Sequence, residues 1–131
     1  MQDSFVHKGK RKNLVDYLRN KIGVSDENVL MAINNVPRHL FIESIFEDFA
    51  YEDRAFPIMA HQTISHPSTV AEQTELLQLK EGEKVLEIGT GCGYQTAVLL
   101  EMGAKVYSIE RQKELFDKTK VFLPLLGYKG A

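Results

Sequence analysis

The chain has 131 residues, 44% of them hydrophobic and 26% charged, with a formal net charge of −2. That supports one real core and excludes bulk electrostatic attraction to nucleic acid or to an anionic membrane surface. A single cysteine, Cys92, excludes an internal disulfide, and no apolar run approaches the roughly 18 residues of a spanning helix or follows the basic N-terminal residues as in a signal peptide, so a cytoplasmic protein is expected.

Leu14, Val15, Leu18 and Ile22 form an apolar stripe that predicts an amphipathic helix over residues 10–22, stopped by Gly23. The basic residues 8–12 read as the solvated start of that helix. Ser25, followed by acids, predicts the N-cap of a second helix, whose apolar face is Val29, Leu30, Ile33 and Val36. Pro37 suits the first turn of a further short helix, and Phe46, Phe49 and Tyr51 read as a core aromatic cluster. Residues 1–55 are therefore expected to form a helical cap.

Residues 55–58 form a short extended piece that Pro57 confines to an edge. Residues 59–67 are polar and irregular, and Pro67, Ser68 and Thr69 open a helix carrying Val70, Thr74, Leu76, Leu77 and Leu79. Val85, Leu86 and Ile88 predict a buried strand, followed by a glycine-rich turn and a helix from about Tyr94. Residues 105–110 alternate into a second strand. A last helix runs from about Arg111 to Phe122, where Pro124 must end or kink it. Residues 56–131 thus read as the first part of a nucleotide-binding α/β domain.

Gly89, Gly91 and Gly93 stand at alternate positions in the turn, where the backbone must bend tightly and a ligand can approach without a Cβ in the way. Glu110 lies 21 residues after Gly89 at the tip of the next strand, where an acid reaches the two hydroxyls of an adenosine ribose. It could also face the macrodipole of the helix that follows and serve both purposes. A dinucleotide fingerprint has glycine or alanine at the sixth position, and here that residue is Tyr94. The substitution argues against an NAD-dependent oxidoreductase and for a ligand without a pyrophosphate, such as S-adenosylmethionine. Glu87 could meet the amino group of such a ligand, or be a buried acid bonded to loop amides.

Thr63 and Ser65, an i, i+2 pair in an extended segment, point to one side and could address one substrate group. Hydroxyls in loops more often satisfy backbone groups. No carboxylate or third histidine falls at ligand spacing from His61 and His66, so no metal site is expected, and Cys92 in the glycine turn reads as a small residue rather than a nucleophile.

The stretch Val85-Leu-Glu-Ile-Gly-Thr-Gly-Cys-Gly-Tyr94 resembles the first motif of class I S-adenosylmethionine-dependent methyltransferases. Together with Pro57-Ile58, Gln62-Thr-Ile-Ser65, Pro67, Val36-Pro-Arg38 and Ser108-Ile-Glu-Arg111, the chain resembles the protein-L-isoaspartate O-methyltransferase family along nearly its whole length. The resemblance implies a three-layer αβα, Rossmann-like methyltransferase fold with a mostly parallel sheet. It implies methyl transfer from S-adenosyl-L-methionine to the α-carboxylate of L-isoaspartyl residues in damaged proteins, a repair reaction. By resemblance Ser65 takes the catalytic serine's role with Thr63 beside it. Glu87, Gly89, Thr90, Gly91, Gly93, Glu110 and Arg111 hold the cofactor, with His66, Ser68 and Thr69 lying along it.

The sequence departs from the family pattern in two places. Met59 and His61 stand where the family has glycines, and strain follows if those positions have positive φ. The chain also ends where a third strand is expected, so the fold should be truncated after its second core strand, with an uncovered sheet edge inviting self-association. The alternative to a methyltransferase is accordingly a non-catalytic remnant that self-associates or binds a partner through that edge.

Overall fold

Residues 2–131 are described here by a computed structural model. Ser4 starts helix α1 (Phe5–Tyr17): its hydroxyl accepts the His7 N–H while His7 Nδ1 accepts the Ser4 N–H. This reciprocal cap satisfies donors the helix cannot, so α1 begins well before residue 10. It runs on through a π turn (Leu18–Ile22) that Gly23 ends at φ +89. Residues 8–12 are not all solvated. Arg11 is buried, bonding both Asp3 carboxylate oxygens, the Asn34 carbonyl and the Tyr51 hydroxyl.

Asp26, not Ser25, caps helix α2 (Glu27–Asn35), accepting the Asn28 and Val29 amides. The Ser25 and Asp26 amides both donate to Glu75, a partner only tertiary packing supplies. After α2 come 3-10 turns Arg38–Phe41 and Ser44–Phe49. The expected aromatic cluster divides: Tyr51 is buried and Phe46 packs on Phe56, whereas Phe49 stays exposed beneath the Arg54 guanidinium.

Strands β1 (Phe56–Pro57) and β2 (Thr63–Ile64) form an antiparallel hairpin. Its turn is closed by Gln62 N–H on the Met59 carbonyl, with Ala60 and His61 both at φ 57. Positive φ at both central residues is the signature of a type I′ turn, whose twist matches a hairpin. Of the expected strained positions His61 is left-handed, but Met59 is not; Ala60 takes its place. Helix α3 (Pro67–Leu76) starts at its proline, and Asp53 accepts the Ser68 amide at its N-terminus. Leu76 and Leu77 are exposed rather than packed.

Strand β3 (Lys84–Ile88), helix α4 (Tyr94–Glu101) and strand β4 (Lys105–Ile109) make a parallel βαβ unit, with Glu87 in register with Ser108 and Ile88 with Ile109. Val85 and Val106 pack with Leu99 of α4, and α2 lies behind α4. The outer face is bare: Leu86 is 65% exposed, Ile88 73%, Tyr107 56% and Ile109 56%. The expectation of a strand buried on both faces is therefore corrected. A continuous apolar run needs helices on both sides of the sheet, and among the described residues helices cover one. The core is continuous from Leu14, Leu18, Leu30 and Ile33 to Tyr94, Ala97, Val98 and Leu123. Pro124 neither ends nor visibly breaks helix α5 (Lys113–Leu125); it sits in the last turn, which closes by Tyr128 N–H on the Leu123 carbonyl with Gly127 at φ +92.

Candidate active site

The glycine turn hangs from the end of β4. The Gly89 and Thr90 amides both donate to the Ile109 carbonyl, at 2.8 and 3.2 Å. Gly89 and Gly93 are needed for different reasons. A Cβ on Gly89 would meet nothing within 4 Å, so its bare backbone faces open space at φ +91. A Cβ on Gly93 would lie 2.9 Å from Thr119 Cγ2 and 3.0 Å from Leu123 Cδ2, so that glycine lets α5 close on the loop. Thr119 also donates to the Gly91 carbonyl at 2.7 Å.

Across the C-terminal ends of β3 and β4 runs a cleft of about 480 Å³. It is lined by Gln62 and Thr63 of the hairpin together with Ile88, Gly89, Gly91, Ile109, Glu110, Arg111 and Gln112. The structure thus joins the two segments that the sequence singled out separately. Glu110 Oε1 accepts the Gly91 N–H at 2.8 Å, and Oε2 accepts the Gln112 N–H at 2.8 Å. Its carboxylate therefore serves the loop and the start of α5 together.

Other predicted residues lie outside this cleft. Glu87 points to the α4 side of the sheet, where it accepts hydrogen bonds from Thr96 and Ser108 hydroxyls rather than from loop amides. Burial pushes its carboxyl above the ordinary range, against the two hydroxyl donors that favour the charged form. Thr90 joins the same network through Ser108. Gly93 is enclosed by α5. His66, Ser68 and Thr69 form the start of α3, held by Asp53. Ser65 is exposed beside the cleft, with its carbonyl held by Arg38 Nη2 at 2.9 Å. Burial raises the Cys92 thiol, so no thiolate is favoured there.

Tyr94 faces away from the cleft. Its ring is buried edge-on to Phe41, with the Arg38 guanidinium carbon 4.9 Å from its centroid. Burial pushes its hydroxyl up to about 12. A bulky residue at the sixth position of the loop is thus accommodated by the N-terminal segment, which packs on this side of α4.

Reading the sequence missed Arg38, Ser108, Thr96, Thr119 and Asp53 as residues that shape the site. Ser108 carried a signal: it precedes Glu110 by one strand repeat and falls opposite Glu87 in register. The others depend on long-range packing. Asp3, His7 and His39 bring ligand atoms within 4.8 Å of one another. Both His39 nitrogens are engaged, by Tyr51 and the Gln2 carbonyl, Asp3 is paired with Arg11, and the imidazoles stack in parallel at 3.7 Å. Lone pairs in the planes of stacked rings do not converge on one ion, so this cluster is a structural knot.

Comparison with known proteins agrees with this geometry. The family model for protein-L-isoaspartate(D-aspartate) O-methyltransferase matches residues 9–129. A protein-L-isoaspartate O-methyltransferase of Christiangramia forsetii is 64% identical over 129 residues, which cover 98% of this chain and 60% of that protein. Its counterpart in Flavobacterium psychrophilum is 60% identical over 130 residues, covering 99% and 61%. A solved protein-L-isoaspartate O-methyltransferase has a TM-score of 0.81 at 31% identity, over 92% of this chain and 40% of that one. A Plasmodium falciparum protein described as a putative member of the same class, in complex with S-adenosyl-L-homocysteine, has a TM-score of 0.73 at 25% identity, over 92% and 60%. The chain spans about 60% of the length of these curated relatives. With a parallel βαβ unit, a glycine turn and a matching sequence over nearly its whole length, the chain belongs to the protein-L-isoaspartate(D-aspartate) O-methyltransferase family.

Proposed function

We propose that this chain carries the cofactor cleft and reaction segment for methyl transfer from S-adenosyl-L-methionine to the α-carboxylate of L-isoaspartyl residues in damaged proteins, in the cytoplasm. The observation that carries this reading is that Thr63, Gly89, Gly91 and Glu110 line one cleft. The cleft suits an adenosyl ligand: the Gly89 backbone is bare and Glu110 offers carboxylate oxygens at the strand tip. On this reading Gly89, Gly91, Glu110 and Arg111 hold the ligand, Gly93 lets α5 support them, and Glu87 and Thr90 fix the strand and turn beneath. His66, Ser68 and Thr69 border the site at the start of α3. The bound cofactor supplies an electrophilic methyl group on a sulfonium.

The remaining chemistry asks little of acid–base groups. A carboxyl group that titrates near its ordinary value of about 4 is already ionised at neutral pH, so no base need generate the nucleophile. The protein's task is to orient it. Ser65, with its hydroxyl as donor, fixes the substrate carboxylate, and Thr63 borders the same space.

The test is methyl transfer to an isoaspartyl peptide, together with titration by S-adenosylhomocysteine. Transfer that Ser65→Ala lowers by about a hundredfold, the loss of one positioned donor, supports the reading. Absence of both transfer and binding sinks it.

A second reading is favoured by the bare face of the sheet: two copies of the chain associate through Leu86, Ile88, Tyr107 and Ile109. Burying each of these side chains is worth about 1.5–3 kcal/mol before association costs. Sedimentation of the wild type against Leu86→Lys, a change on the same face outside the cleft, tests it. A monomer at every concentration removes this reading; a dimer lost in the variant supports it.

A further inference from the structure

Arg38 is 0% exposed and has no carboxylate partner among the described residues. Its hydrogen bonds go to three backbone carbonyls in two stretches of the chain, residues 50–54 and residue 65. Nε donates to Ala50 at 3.0 Å, and Nη2 donates to Arg54 at 3.1 Å and to Ser65 at 2.9 Å. The face of the guanidinium lies against Tyr94, the residue that opens α4 directly after the glycine turn. Nη1 is buried without a partner among the described residues.

A buried cation is costly, and replacing buried charged groups with well-packed apolar ones is often neutral or stabilising. What the planar guanidinium does here that an apolar group does not is hold several acceptors in fixed directions while stacking on an aromatic face. One of those acceptors is the carbonyl of Ser65. Fixing the peptide plane after Ser65 limits its backbone rotation and therefore the direction of its Cα–Cβ bond. The ring on the other side of the same guanidinium belongs to the glycine turn's helix.

We propose that Arg38 is a positioning residue that sets the direction of Ser65 and ties the reaction segment, residues 63–65, to the cofactor turn, residues 89–93. It acts through Ser65 and Tyr94 and touches no reactant. The functional half of this inference rests on the reading of Ser65 given above; the mechanical half does not.

The experiment is amide hydrogen exchange on the wild-type chain, Arg38→Lys and Arg38→Met, each with and without S-adenosylhomocysteine, alongside thermal melting. Lysine keeps the charge and stem but not the fork, which guards against a variant that fails to fold. Without ligand, exchange across residues 62–66 is expected to rise by about tenfold in Arg38→Lys, while α2 exchanges as in the wild type. With ligand, protection in the wild type should spread from residues 89–94 to residues 62–66, and in Arg38→Lys it should stop at the turn. Equal exchange in wild type and Arg38→Lys would overturn the proposal. So would a rise spread evenly over the whole chain, which marks a merely structural role. Failure of S-adenosylhomocysteine to protect residues 89–94 in the wild type counts against the cofactor reading alone, because ligand-free exchange still decides the role of Arg38.

Discussion

Glu110 closes on Gly91: its Oε1 accepts the Gly91 amide at 2.8 Å while its other oxygen accepts the Gln112 amide. The acid expected to meet a ribose also braces the loop and the helix start by itself. Hydrogen bonds to a charged acceptor are worth about 1.5–3 kcal/mol. Glu110→Ala should therefore weaken S-adenosylhomocysteine binding by roughly tenfold or more, with Glu110→Gln losing less. Calorimetric titration of both variants decides it; unchanged affinity in Glu110→Ala would remove Glu110 from the cofactor site.

The glycines should separate by mechanism. Gly93→Ala adds a Cβ 2.9 Å from Thr119 Cγ2 at φ +91. Left-handed strain of about 1–2 kcal/mol then adds to overpacking of about 1–3 kcal/mol. Gly89→Ala meets no atom and should show only the strain. Denaturant unfolding should rank Gly93→Ala as the more damaging, and the reverse order would contradict the packing described for α5.

The hairpin turn holds Ala60 and His61 at φ 57, a conformation that Asn-Gly adopts with least strain. The double change Ala60→Asn, His61→Gly should stabilise the chain by about 1 kcal/mol. The readout is a higher denaturation midpoint with an unchanged slope. Because Thr63 follows the turn directly, the register of β1 and β2 should not move.

Two acids should shape the pH dependence in opposite senses. The Arg11 guanidinium holds Asp3 below the usual carboxylate value. Its contribution is present above the unfolded value of about 3.9 and is lost as pH falls through the lower folded value. Burial holds Glu87 above the usual value, so its penalty grows as pH rises past about 4.3. Unfolding free energies measured from pH 3 to 8 should show Asp3→Asn flattening the acid limb. Glu87→Gln should remove the fall on the other side, and curves parallel to wild type would refute both assignments.

Much of the site was legible because it depends on short-range chemistry. The glycine turn, the acid at the next strand tip and the proline that opens α3 are each set by local backbone demands. The sequence showed Thr63 and Glu110 separately. Their meeting across the cleft depends on how the hairpin docks beside the βαβ unit. Tyr94 and Arg38 were harder to read. Nothing in the local pattern says that a tyrosine after a glycine turn faces backward, or that an arginine beside a proline is buried.

Leu86 and Ile88 mark the same boundary from the other side. Their apolar run predicts a strand, and a strand forms, but burial belongs to whatever packs on the sheet. By itself the sequence determined the order of the main helices and strands and the glycine turn, since these follow from side-chain period and backbone freedom over a few residues, while the family was legible in the resemblance of its motifs. Only the tertiary structure decided which groups meet. It brought Thr63 and Glu110 into one cleft, tied the Ser65 carbonyl to Arg38 and left Leu86 and Ile88 bare, because contacts between distant segments are set by packing, which no local pattern encodes.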